Sequence, residues 1–565
     1  MMMMKKRNII YALTLSVMAL TGCKRDSFLD LNPDDAFSDP TFFKNESDLK
    51  LYCNGFYSTL PVMDNNSDNN SDDMVPRSKD AFLSGQYIVP IVKDDDKGEW
   101  SWKNERSANY FLARYQRAAV GDDVKNKYAA EARFFRALYF WQKVKRYGDV
   151  PWFSKDLNEN SPELDLPRTP HKQVMDSVLA DLNFAVANLP APGSAEKGRL
   201  HKFAAAALKA RICLWEGSYR KYHSLGDDQP MMREAANAAQ LVMTSGLYDL
   251  YTTGHPATDY YNLFIQEELL GNKEAIMPKR FIKDVFMHNL TRQLGEGNTG
   301  FSKSFVRSFL CTDGLPTALS PLYKGDDSIQ AEITNRDPRF GQLIATPGFV
   351  FQVDASGNKD IITLPRIGTS VTSTGYQRVK GRSSSLEQWN ANQSTLDLFI
   401  FRYAEVLLVY AEAKAELNEC DQAVIDQTIS KLRARVGMPA MQIAALIKDP
   451  KSDFPALPVL LDEIRRERRV ELGAEGFRFD DLLRWNAGKL IENPESILGM
   501  KLRPEVKAQY PNQGQVKDIV LDANGYIRVY PDITARVWND KMYLYPIPTQ
   551  ELTLNPKLLP QNKGW

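Results

Sequence analysis

The chain has 565 residues, with 71 basic and 71 acidic side chains and a formal charge of zero. That balance excludes a non-specific nucleic-acid binder, which needs a basic excess to displace counterions, and a strongly acidic disordered chain. Hydrophobic residues at 43 % and charged residues at 25 % are ordinary for a globular protein, whereas 24 Tyr and 9 Trp go beyond the needs of a plain helical scaffold and leave rings for recognition.

The chain opens with Lys5, Lys6 and Arg7, followed by a mostly apolar run over 9–20. The run is too short to cross a bilayer as a helix and suits the core of an export signal. It ends in Leu20-Thr21-Gly22-Cys23, which resembles the bacterial lipobox, where cleavage precedes a cysteine that carries lipid on its sulfur. Residues 1–22 are therefore the expected signal peptide and Cys23 the expected lipidation site. Cleavage removes three basic and no acidic residues, leaving 543 residues with a formal charge of −3. No later stretch is long and apolar enough to span a membrane, so a soluble body tethered by several acyl chains is expected.

Helical periodicity then dominates. Residues 131–141 lack Gly and Pro. Thr169-Pro170 before 171–189 reads as a capped helix with Pro in its first turn, ended near Pro190. Phe203, Ala207, Ala210 and Leu214 share one helical face. Residues 231–245 are Ala-rich and stop at Gly246. Ala404, Leu408, Ala411 and Ala415 form another stripe, and a further helix is expected from Asp421 to about Arg435. Small residues on such stripes let helices pack closely. The expected fold class is mainly α, with tetratricopeptide-like helical hairpins forming a scaffold over 42–60, 105–245 and 397–485. Long irregular insertions at about 61–104, 246–396 and 486–543 are expected to carry the ligand face, since loops of that length are usually functional. All of 23–565 is read as one domain.

Catalytic chemistry is sparse. Cys53, Cys213, Cys311 and Cys420 are scattered without a C-x-x-C pair, and spacing does not reveal any pairing; Cys213, in an apolar helical run, reads as a buried thiol. His171, His201, His223, His255 and His288 make no metal-binding spacing, and neither a G-x-S-x-G elbow nor a P-loop is present. No cofactor and no metal are expected, and an enzyme is unsupported. The acidic run from Asp64 to Asp73 resembles the start of a calcium loop, but Asn69 and Val75 stand where such a loop has Gly and Glu, so it reads as a solvated surface loop. Asp462, Glu463, Glu467 and Glu471 lie three or four residues from Arg465, Arg466, Arg468 and Arg469 and are expected to pair with them on helix faces.

An ordered set of motifs carries more. Ser27-Phe28-Leu29-Asp30-Leu31-Asn32-Pro33 follows Cys23. Glu131-Ala132-Arg133-Phe134 leads to Arg136 and Tyr139, then to Tyr147-Gly148-Asp149-Val150-Pro151. Asn335-Arg336-Asp337-Pro338-Arg339, Thr374-Gly375-Tyr376 and Arg402-Tyr403-Ala404-Glu405 come next. Arg465-Arg466-Glu467-Arg468-Arg469-Val470-Glu471 precedes Glu475-Gly476-Phe477-Arg478 and Leu482-Leu483-Arg484-Trp485; Tyr545-Pro546-Ile547-Pro548 and a terminal Gly564-Trp565 close the chain. Together these resemble the SusD/RagB family of surface lipoproteins from Bacteroidota, from Cys23 to the C-terminus. The resemblance implies four tetratricopeptide-type hairpins, a lipid anchor on the outer face of the outer membrane, and no hydrolase activity. It implies a SusC-like TonB-dependent transporter as partner, capped by a hinged lid that holds a glycan or, in RagB-like members, a peptide. One departure is Lys24-Arg25-Asp26, with a single acid where surface-exported members often carry several.

Sugar chemistry selects candidate contacts. The C–H face of a pyranose stacks on a flat ring, and its hydroxyls need amide, acid or guanidinium partners. Trp389 beside Asn390 is the leading candidate. Trp102 is next, with Lys103, Asn104, Glu105 and Arg106 beside it; Trp100, Tyr376 and Tyr87 complete the set. Trp100 also stands ahead of an R-x-x-N turn, from Arg106 to Asn109, and so has a structural reading. Two competitors stay open: a tetratricopeptide scaffold that binds only protein, and a cell-envelope hydrolase.

Overall fold

Local sequence signals set the helix boundaries in the computed structural model, which describes residues 42–94, 99–368, 370–532 and 535–565. The expected signal peptide, Cys23 and the 27–33 motif lie outside these residues. The first described helix, α1 (Glu46–Asn54), opens on a capping box: Asp48 N–H donates to Asn45 Oδ1 at 3.1 Å and Asn45 N–H to Asp48 Oδ2 at 3.3 Å. The helical layer continues with α2 (Lys103–Leu112), α3 (Asp122–Tyr147), α4 (His171–Asn188), α5 (Lys202–Tyr222) and α6 (Asp228–Met243). Consecutive members pack on each other, α3 on α4, α4 on α5 and α5 on α6.

The capping of α4 departs from expectation. Pro170 occupies the cap position itself, and the Thr169 hydroxyl turns away to accept from Trp152 N–H at 3.2 Å. The first amide of the helix, His171 N–H, donates instead to Asp149 Oδ1 at 2.7 Å. Asp149 belongs to the Tyr147–Pro151 motif, so that motif ends α3 at Gly148, with φ +72°, and also starts α4. At α5 the cap is His201: Nδ1 accepts from Ala204 N–H at 3.2 Å, while Nε2–H donates to the Ile276 carbonyl at 2.8 Å. Burial pushes the His201 pKa down, which keeps the neutral tautomer that this pattern needs. Gly217 lets α5 and α6 approach closely, since a Cβ there would meet Met232 Sδ at 3.0 Å.

After α6 the chain leaves the scaffold and returns. Strand β1 (Ala275–Lys279) pairs antiparallel with β4 (Leu398–Arg402), Ala275 against Arg402 and Lys279 against Leu398, so the two ends of the long insertion are sewn together. Between them lie a small hairpin of β2 (Val350–Val353) and β3 (Lys359–Ile361) and short helical turns. Helix α7 (Tyr403–Glu416) follows and is buried nearly all round, against α5, α6 and the later helix α10 (Val459–Glu471). The helix expected from Asp421 to Arg435 breaks at Thr428 (φ −125°, ψ −89°) into α8 (Gln422–Gln427) and α9 (Ile429–Arg435). α11 (Arg478–Arg484) ends the helical scaffold, and β5 (Leu498–Lys501) pairs with β6 (Tyr526–Arg528) beyond it. No helix among the described residues is long and apolar enough to cross a membrane.

Two large apolar cores and three smaller clusters form among the described residues. One large core joins the faces of α1–α7; the second gathers insertion residues such as Met74, Phe301, Phe340 and Ile527. A buried ion network stands between them. Glu471, fully buried, accepts from Arg402 Nη1 at 2.8 Å, Arg435 Nη2 at 2.7 Å and Arg339 Nη1 at 3.1 Å. Arg402 also bonds Glu274 and Glu475; Arg469 meets Asp73 at 2.7 Å and Arg478 meets Asp72 at 2.7 Å. The arginines of α10 are therefore structural, but they pair mainly between elements; only Arg466 with Glu463, at 3.1 Å, is a helix-face pair. The acidic loop is corrected too. Asp68, Ser71, Asp72 and Asp73 are buried rather than solvated, because Arg469 and Arg478 draw two of the carboxylates inward and Asp68 caps the Gly476 and Arg478 amides. Cys53, Cys213, Cys311 and Cys420 are free thiols, and burial pushes that of Cys213 up to about 12.

Candidate ligand-binding cleft

The start of α2 borders a wide concavity. Arg136 on α3 grips Asp181 of α4 through Nε at 2.7 Å and Nη2 at 2.8 Å. Its Nη1 reaches Asn109 Oδ1 on α2 at 2.9 Å, and Asn109 Nδ2 donates to the Phe153 carbonyl at 2.7 Å. This chain of bonds fixes α2 against the loop that joins α3 to α4. Trp102, the residue before α2, then lies edge-to-face with Phe153 (5.0 Å, 78°) and with Trp100 (5.4 Å, 87°).

A cleft of about 1140 Å³ opens at this point. Its aromatic lining is Trp100, Trp102, Phe153 and the stacked pair of Tyr52 and Tyr110, whose rings are 5.8 Å apart. Exposed Arg106, Asn158 and Asn160 supply polar groups, and Glu551 and Asn555 close the far side. Glu105, one turn into α2, is 3 % exposed and lines the cleft, and no hydrogen bond or ion pair from another described residue holds its carboxylate. Burial pushes its carboxyl up, opposed by the nearby Lys143 charge. A second cleft, of about 500 Å³, lies on the other side of Ser101, Lys103 and Glu105 and shares those residues with the first.

The sequence candidates fall in different places. Trp102 is half-buried and lines the larger cleft. Trp100 lines it too but is 2 % exposed, with a left-handed φ of +53° and its N–H on the Tyr147 hydroxyl at 2.9 Å, so it serves mainly as the wall behind Trp102. Tyr376 is fully buried with its hydroxyl on Glu332 Oε2 at 2.7 Å; it presents no face to a ligand, and the Thr374–Tyr376 motif is packing. Tyr87 is half-buried among Phe82, Tyr545 and Trp565, its hydroxyl donating to Glu99 at 3.0 Å and pushed up by burial to about 12. Trp389 and Asn390 sit on the long insertion, outside both clefts. Asn390 is exposed, whereas the Trp389 ring packs against Gly295, Phe351 and Arg382. Sequence reasoning placed Glu105 only as a neighbour of Trp102, and it missed Phe153, Asn158 and Asn160, which belong to a loop inside the expected scaffold.

Comparison with known proteins agrees with this architecture. Residues 271–565 match the model of the SusD family, and residues 27–214 match a family described as starch-binding, associating with the outer membrane. SusD-like protein P2 of Formosa agariphila is 24 % identical over the full length of both chains. A SusD-like protein from Bacteroides fragilis superposes with a TM-score of 0.71 at 25 % identity, over 94 % of this chain and 99 % of the other. A SusD-like carbohydrate-binding protein from the same species has a TM-score of 0.71 at 22 % identity, over 92 % of this chain and all of the other.

Proposed function

Because the chain belongs to the SusD family, a family of binding proteins without enzymatic activity, we propose that it captures a glycan at the cell surface and caps a SusC-like TonB-dependent transporter. The observation that carries the glycan reading is the pairing of a half-exposed indole, Trp102, with a buried carboxylate, Glu105, that no other described residue hydrogen-bonds, in one open cleft. The ring offers a face to apolar sugar C–H groups. The carboxylate accepts from vicinal hydroxyls, and the bound sugar supplies the partners that the fold withholds. The carbohydrate-binding relative from Bacteroides fragilis supports this ligand class. Capture and gating need only differential affinity, and no bond is broken.

Glu105→Gln is the sharpest test. The amide keeps the shape but removes the charge, and hydrogen bonds to charged groups contribute about 1.5–3 kcal/mol. Glycan affinity, measured by calorimetry or affinity gels with a polysaccharide panel, should fall by roughly tenfold or more. The melting temperature should hold or rise, because a buried unpaired carboxylate opposes folding. Unchanged affinity together with a lower melting temperature would remove Glu105 from the site.

Anchor and partner are tested together. Cys23→Ser protein should leave the membrane fraction in cells lacking the transporter and be partly retained where the transporter is present. Tight membrane association without both would sink the anchor, and equal release in both strains would sink the partner.

A further inference from the structure

We propose that the two clefts flanking Ser101, Lys103 and Glu105 form one continuous track, in which the smaller cleft is a second subsite, so that the ligand is an extended oligosaccharide. This rests on the glycan reading above and deepens it. The smaller cleft offers the chemistry of sugar binding in a different form. Asn70, Asn104 and Gln142 line it and are exposed. Each amide both donates and accepts, which suits vicinal hydroxyls whose own donor and acceptor roles alternate. Its rings are Phe479 and Tyr545. Tyr545 is held flat against Phe82 at 4.2 Å, with the Arg146 guanidinium 4.1 Å from its centroid. Phe82 and Arg146 thus cover the faces of Tyr545, and Phe479 is buried, so both rings form a rigid wall behind the amides and neither is a stacking shelf.

The charges of this cleft are largely engaged within the fold. Lys145 pairs with Asp480 at 2.5 Å, Arg146 with Glu99 at 3.5 Å, and Lys143 stands 5.4 Å from the Trp102 centroid. The amides, together with exposed Lys103, are therefore the groups left to address a sugar chain. Glu105 joins the subsites: it is a lining residue of both clefts, and no hydrogen bond or ion pair from another described residue holds its carboxylate. A sugar lying over the 101–105 ridge would satisfy it while its neighbours occupy the two clefts.

The test compares trisaccharides and heptasaccharides of the malto-, laminari-, cello- and xylo- series by calorimetry. In a series that binds, the heptasaccharide should bind about tenfold more tightly than the trisaccharide. The double variant Asn104→Ala/Gln142→Ala changes two exposed side chains and should leave the melting temperature in place. It should abolish the advantage of the longer chain and spare trisaccharide affinity, whereas Glu105→Gln should weaken both lengths. A flat length profile, or a double variant that binds the heptasaccharide as wild type does, overturns the track while a Glu105-sensitive trisaccharide keeps the glycan reading. Absence of binding in every series overturns both.

Discussion

Glu471→Ala should destabilise the protein by roughly 3 kcal/mol, because it removes the centre of a buried ion cluster and leaves three guanidinium groups short of a carboxylate. Arg402 and Arg435 are left sharing Glu274, and Arg339 falls back on Asp337 and Glu467. The side chain is fully buried, and Arg402, Arg435 and Arg339 all converge on it within 3.1 Å. Removing one partner of a buried pair is far worse than replacing the whole pair, since the remaining charges keep their desolvation penalty without the attraction that offsets it. Burial alone would raise the Glu471 carboxyl, but Arg435, Arg402 and Arg339 hold it far below the usual carboxylate range. A depressed folded pKa stabilises above the unfolded value, near 4.3, and is lost only as pH falls toward the folded one. The deficit of the variant should therefore be the same at pH 8 and at pH 6. Thermal or denaturant unfolding reads it directly, and Lys283→Ala, on an exposed pair with Glu387, is the silent control. A Glu471→Ala protein that melts with the wild type, or whose deficit disappears between pH 8 and pH 6, would show that the cluster does not hold the two cores together.

That cluster also marks the limit of what the sequence makes legible. The arginines and glutamates of α10 stand out at once, and helical spacing offers each a partner three or four residues away. The structure uses such a pair for Arg466 and Glu463, but Glu471 bonds Arg402 69 residues upstream and Arg339 132 residues upstream. Local spacing reports what can pair on one helix; it carries no term for the tertiary partner that a desolvated charge requires. The motifs at Asn335–Arg339, Arg402–Glu405 and Glu475–Arg478 were visible as words, and their meaning lies in meeting one another. The helices were legible because apolar periodicity is local, and the break at Thr428 was not, because nothing in its side chain forbids helix. At the site, Trp102 was legible as an indole amid polar residues. That no other described residue hydrogen-bonds the Glu105 carboxylate was not, since it depends on which groups the fold leaves out of reach.

Trp389→Ala should lower the melting temperature and leave glycan affinity unchanged, although this ring has the amide neighbours that a sugar shelf requires. The indole is half-buried on the long insertion, and Gly295 makes room for it: a Cβ there would lie 2.2 Å from the ring. Phe351 meets it edge-on at 6.1 Å, and the Arg382 guanidinium lies 5.1 Å from its centroid and 3.5 Å from that of Phe351. Arg382 is fully buried, and no carboxylate among the described residues forms an ion pair with it. Its Nη1 donates to the Phe351 and Ser383 carbonyls and its Nη2 to Gln352 Oε1 at 3.2 Å. The two aromatic rings therefore supply the negative potential that a counterion supplies elsewhere, and cation–π contacts strengthen when desolvated. Deleting the indole removes one of those rings and leaves a cavity. Trp→Ala changes in cores destabilise by about 3–5 kcal/mol, and a half-buried ring places this site near the lower figure. Gly295→Ala provides the second reading, because it keeps the indole but drives it off its seat; it should reproduce the loss of stability without touching any exposed polar group. If Trp389→Ala instead lost glycan affinity at an unchanged melting temperature, the ring would belong to a ligand surface and the clefts around Glu105 would not be the whole site.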